Sequence, residues 1–81
     1  MKTIKDFAFV KTHNAVRMFV NPTTYNGDFS IEGNRIEESN EIKHYITSPV
    51  CFFLSKNVIV TKDGSIYHLS DMSEEYKRFI K

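Results

Sequence analysis

VCFFLSKNVIVTKDGSIYHL, running from Val50 to Leu69, is the stretch whose reading decides the fold. It contains three apolar runs, broken at Ser55-Lys56-Asn57 and at the turn pair Asp63-Gly64. Short runs of β-branched and aromatic residues bounded by Asn, Asp and Gly are the mark of strands, so this is a three-strand antiparallel meander. With Asp63-Gly64 as a two-residue type I′ turn, Lys62 opposes Ser65, Val60 opposes Tyr67 and Val58 opposes Leu69. Those residues form the expected core face, and Ile59, Thr61, Ile66 and His68 lie on the other. Phe52 and Phe53 are consecutive and point to opposite sides, which implies a first strand covered on both faces. Cys51 is then a small, inert core side chain.

Upstream of the meander, FAFVKTHNAVRMFV (Phe7 to Val20) is two apolar runs around a polar Lys11 to Asn14, the pattern of a β-hairpin with Asn14 at φ > 0 in the turn. A one-residue slip there exchanges the two faces; on size, Phe7, Phe9 and Met18 are expected inside. Asn21 to Gly27 is a loop, since Pro22 cannot donate to a ladder and Asn26-Gly27 is a turn pair. DFSIE and RIEE flank Gly33-Asn34, which as a turn pairs Glu32 with Arg35, Ile31 with Ile36 and Ser30 with Glu37. Phe29, Ile31 and Ile36 then face inward beneath a solvated acidic side. Ser39 to Ser48 fits helix and strand about equally; the capping potential of Ser39 or Asn40, Glu41 in the first turn and Pro49 at the end favour a short helix. Downstream, Asp71 to Lys81 reads as a helix with Asp71 as N-cap, Glu74 three residues on, and an apolar stripe of Met72, Tyr76, Phe79 and Ile80. Glu74 and Arg78 are set for an i, i+4 pair.

The expected fold class is therefore α+β: an antiparallel sheet of two hairpins plus a three-strand meander, one short helix, and a C-terminal amphipathic helix packed on the sheet. Residues 1–81 form a single small globular domain, because a chain this short buries only about 60% of its unfolded surface and supports one core. Seven Phe and four Tyr supply that core. A charged share of 26% and only three Gly and two Pro argue against disorder. Lys2, Lys5, Lys11 and Arg17 against Asp6 give the first twenty residues a charge of +3, while residues 21–50 carry −3 and the whole chain +1. So even a balance argues against phosphate binding as the main task. The single cysteine excludes an intrachain disulfide and points to a reducing compartment, the cytoplasm. No apolar run approaches a membrane span or a secretory leader, so no membrane partner is expected.

No catalytic constellation stands out. His13, His44 and His68 lack the i, i+3 or i, i+4 spacing of a metal site on one element, and one cysteine cannot form a thiolate cluster; no metal or cofactor is expected. A hydrolase or nuclease joining Cys51, His44 and His68 requires the fold to assemble three distant side chains. Lys62-Asp63-Gly64 is explained by a hairpin turn without nucleotidyl-transfer chemistry. With a helix over Ser39 to Ser48, residues 40–81 run helix, strand, strand, strand, helix, an order that resembles double-stranded-RNA-binding domains over half of the chain and in topology alone. Such domains meet phosphates with a basic helix start, whereas Asp71 to Glu75 here is acidic.

The leading expectation is a non-enzymatic protein-binding module, of the kind that phages and mobile elements use to inhibit a host or defence protein. The compact length and the Lys-, Asn-, Ile- and Phe-rich, Trp-free vocabulary resemble such accessory proteins in style. Tyr25 on its loop, with Arg17, Glu32, Arg35 and Glu37, are the partner-binding candidates, and an edge strand offers a route to a homo-oligomer. The alternative is a small nucleic-acid-binding protein using the basic first hairpin through Lys2, Lys5, Lys11 and Arg17.

Overall fold

Phe7, Ala8, Phe9 and Val10 are all buried, which means that both faces of the strand carrying them are covered and that the sheet is built around it. A computed structural model of the chain describes residues 2–37, 39 and 41–81. That strand is β1 (Lys2–His13), followed by β2 (Val16–Phe19), β3 (Ser30–Ile36), β4 (Ile42–Ile46), β5 (Val50–Ser55), β6 (Val58–Thr61), β7 (Ile66–Leu69) and α1 (Glu74–Ile80). The sheet order is β4-β3-β1-β7-β6-β5, with β2 also paired to β1. β3 lies along one edge of β1. The other edge is shared, with β7 beside Lys2 to Ile4 and β2 beside Val10 to His13. The β1–β7 pairing is parallel and the rest antiparallel, so among the described residues the architecture is mainly β, a mixed seven-strand sheet with one helix in place of the expected antiparallel sheet with two.

The first hairpin turns at Asn14 and Ala15, with φ of 52° and 65°, which places Lys11 opposite Met18 and Val10 opposite Phe19. Phe7 and Phe9 are inside as the sequence suggests, but Met18 is exposed and Phe19 packs on the core instead. Gly33-Asn34 is not a turn. Both residues lie within the continuous strand β3, where Gly33 faces the β-bulge formed by Asp6 and Phe7 of β1. Asp6 has φ 54°, and a Cβ on Gly33 would sit 2.6 Å from Ile4 Cγ2 and 2.8 Å from the Lys5 carbonyl oxygen. Glycine is required there by close backbone approach. The expected pairs of Glu32 with Arg35 and of Ile31 with Ile36 therefore do not form; β3 pairs instead with β4, Glu32 opposite Ile46 and Ile36 opposite Ile42. The Ser39 to Ser48 helix is likewise replaced by strand β4, whose Tyr45 packs on the core while Ile42, His44 and Ile46 are exposed. Asn40 and Glu38 fall outside the described residues.

In the meander, three residues turn rather than two. Thr61 N donates to Ser65 O at 2.9 Å, Gly64 N donates to Thr61 O at 2.9 Å, and Gly64 takes φ 89°, the geometry of a type I turn closed by a residue in the left-handed region. Asp63 Oδ1 accepts from Ser65 N at 3.1 Å and from Thr61 Oγ1. These bonds, Thr61's first, hold the Asp63 carboxyl below its ordinary value. The extra residue shifts the register to Val58–His68, Ile59–Tyr67 and Val60–Ile66. Ile59 and Thr61, not Val58 and Val60, consequently join Tyr67 and Leu69 in the buried set.

The sheet curls until its ends approach: Val50 N donates to Phe29 O at 2.8 Å, and Thr47 N to Ile31 O at 2.9 Å. Inside the curl the Phe9 ring lies 5.7 Å from Phe29, 5.8 Å from Tyr76 and 6.1 Å from Phe53. The helix starts later than Asp71. Ser73 is the N-cap, its Oγ accepting from Tyr76 N at 3.1 Å, while the chain from Asp71 to Ser73 pairs with the bulged Phe7 through Phe7 N to Asp71 O (3.0 Å) and Ser73 N to Phe7 O (2.8 Å). Glu74 pairs with Lys77, at 3.2 Å, rather than with Arg78. Of the apolar stripe, Tyr76 is buried, Met72 packs against the core, and Phe79 and Ile80 stay largely exposed.

Candidate interaction surfaces

β5 ends the sheet path and pairs only with β6. Among the described residues, Cys51 to Ser55 make no backbone hydrogen bond beyond that ladder. Exposure is 50% for Phe52, 42% for Phe53 and 56% for Leu54, and Cys51 is exposed too. This corrects the expectation of a strand covered on both faces and of a core cysteine. Phe52 shares the outer face with its neighbour Val60 and, through Val60, with Ile66, forming an apolar row across β5, β6 and β7. Phe53 is on the inner face at the mouth of the curl, its ring 6.1 Å from Phe9 and 6.5 Å from Phe29.

A second feature is polar. Glu32 on β3 is buried, its side chain 9% exposed, and one oxygen, Oε2, receives both Arg17 Nε at 2.8 Å and His44 Nε2 at 3.3 Å. Arg17 comes from β2 and His44 from β4, so Glu32 ties the first hairpin to the opposite side of the sheet. A small cleft of about 190 Å³ opens beside it, lined also by Asp6, Asn34 and Glu75. The Arg17 guanidinium additionally lies 5.2 Å from the Phe19 ring centroid, so its charge is engaged twice.

The remaining candidates are dispersed. Tyr25 is half-buried beneath the Lys11 ammonium, 5.1 Å from its ring centroid, in a loop tightened by Asn21, whose Oδ1 accepts from Thr23 N at 3.0 Å. Arg35 stacks on Tyr45 at 4.7 Å and pairs with Glu37 at 2.9 Å. Arg17 and Glu32 are thus brought together, Arg35 and Glu37 form a separate pair, and Tyr25 stands apart from both. Lys2 and Lys5 lie at the other end of β1 from Lys11, and Lys11 and Arg17 occupy opposite faces of the first hairpin. Among the described residues, no group of three His, Cys, Asp or Glu side chains is placed to hold a metal ion, and no helix is long and apolar enough to cross a membrane. Sequence reasoning missed Phe52, Phe53 and Leu54 as surface residues, because an apolar run looks the same in a central strand and at an uncovered edge. The chain matches no protein-family model, no curated protein and no solved structure.

Proposed function

We propose that this protein is a non-enzymatic protein-binding module that engages a protein along the β5 edge. The observation carrying this reading is the row of Phe52, Phe53 and Leu54, each about half exposed, on a strand with an open backbone edge. Strand addition supplies main-chain hydrogen bonds from such an edge, and the alternating side chains supply selectivity. Aromatic anchors are the residues that dominate interface energies. Binding of this kind is stoichiometric, as in the small inhibitors that phages and mobile elements direct at a host or defence protein. A cytoplasmic setting accords with an exposed thiol left free.

The test is capture of a protein partner by the tagged chain, compared with a Phe52→Lys variant. Loss of capture with the thermal transition retained supports the reading, together with slowed amide exchange at residues 51–55 in the complex. Capture that is unaltered by Phe52→Lys and leaves those amides exchanging freely refutes it.

A further inference from the structure

We infer that β5 pairs with β5 of a second copy, antiparallel and about a two-fold axis, so that the free protein is a dimer; this rests on the reading of β5 as a binding edge and names its occupant. The charge pattern selects a copy of the same chain. In a two-fold antiparallel pair every charge on the edge strand is brought close to its own copy across a short seam, and like charges in close cross-strand proximity are destabilising. β5 carries no charged residue from Val50 to Ser55, whereas β2 has Arg17 and β4 has Lys43. Among the described strands with an open edge, β5 is the one that brings no charge to such a seam.

The available surface is of the right order. Phe52 and Phe53 are aromatic side chains of up to roughly 150–250 Å² each, and about half of each, and of the smaller Leu54, faces solvent. Pairing covers them in both copies along with the strand backbone and extends the outer apolar row of Phe52, Val60 and Ile66 into the partner copy. With these contributions from both sides, the contact approaches the roughly 1,000 Å² total at which specific interfaces begin. The contact is isologous, so it consumes the same edge in both molecules and closes as a dimer rather than growing into a filament.

The lone exposed cysteine lies in this strand and reports on it directly. A nitroxide on Cys51 of the otherwise native chain gives a short inter-label distance, below about 25 Å, in a two-fold β5 pair of strands spaced about 4.8 Å apart. Light scattering should return twice the 9.5 kDa chain mass, falling to one chain mass in Phe52→Lys and unchanged in Ile42→Lys on β4. A monomeric mass at every concentration with no dipolar coupling from Cys51 overturns the inference, as does a dimer broken by Ile42→Lys and not by Phe52→Lys. Partner capture that depends on Phe52 in a monomeric protein overturns self-pairing while leaving the binding edge intact; loss of both removes the two readings together.

Discussion

The Tyr76 hydroxyl donates a hydrogen bond to the Val20 carbonyl oxygen, fastening the helix to the end of the first hairpin across 56 residues of sequence. The ring beneath is buried between Phe9, at 5.8 Å, and Phe19, at 5.3 Å. Tyr76→Phe keeps the ring and leaves a buried carbonyl without its donor, so it should cost about 1–3 kcal/mol. Tyr76→Ala also opens a cavity and should cost about 3–5 kcal/mol. Urea denaturation midpoints at constant m-value measure both, and an unchanged midpoint in Tyr76→Phe would show that the hydrogen bond contributes nothing.

Alkali should unfold the protein through the same residue and Tyr67. Burial pushes both hydroxyls up to about 12 from the ordinary 10.0, with Tyr45 adding to the effect at Tyr67. The fold favours their neutral forms, so this stabilisation is complete below pH 10 and is lost as the pH rises toward about 12. Tyrosinate absorbance followed with far-UV circular dichroism should show these two ionisations coinciding with loss of structure. Ionisation of all four tyrosines near pH 10 with the fold intact would contradict it.

Two of the ion pairs should differ in weight. Glu32 is nearly enclosed, and Arg17→Met removes the stronger of its two contacts, so the change should cost about 1–3 kcal/mol. Lys62 and Asp28, 2.9 Å apart, are both well exposed, and Lys62→Met should change stability by about 0–1 kcal/mol, with any effect screened by salt. Chemical denaturation of the two variants side by side gives the comparison.

Two small residues should respond in opposite directions. Gly33→Ala forces a methyl group against Ile4 and the Lys5 carbonyl and should destabilise by about 1–3 kcal/mol. Ala15 holds φ 65° in the hairpin turn, a conformation costing an L-residue about 1–2 kcal/mol that glycine adopts freely. Ala15→Gly should therefore raise the melting temperature by a few degrees, less whatever flexibility it adds to the unfolded chain.

The same positions mark where sequence patterning stops being informative. The three meander strands, the Asn14 turn and the terminal helix follow from local signals: apolar runs, turn residues and the stripe containing Tyr76. Register does not, because Asp63-Gly64 is compatible with a two- or a three-residue turn and the choice reverses which of Val60 and Ile59 is buried. Gly33 is ambiguous for a related reason, since a glycine demanded by a bulge on the neighbouring strand looks like one demanded by a turn. Ser39 to Ser48 satisfies both periodicities, and the open hydrogen bonds of β3 decide in favour of a strand. Arg17 and Glu32 are individually visible as charged candidates, yet their contact is made across β1, between strands that do not pair with each other. Exposure of β5 depends on sheet order, and order is a property of the assembled whole.

That order also bears on synthesis. Lys2 to Ile4 leave the ribosome 65 residues ahead of their parallel neighbours, Tyr67 to Leu69. β1 has no complete set of neighbours until then, and over that interval Phe9 waits for the rings of Phe53 and Tyr76. At roughly 5–20 residues per second this interval lasts several seconds. Folding dominated by such distant pairings proceeds in milliseconds to seconds rather than microseconds. Chaperone occupancy of nascent chains should therefore be highest over Phe7 to Val10 and fall once Leu69 has emerged.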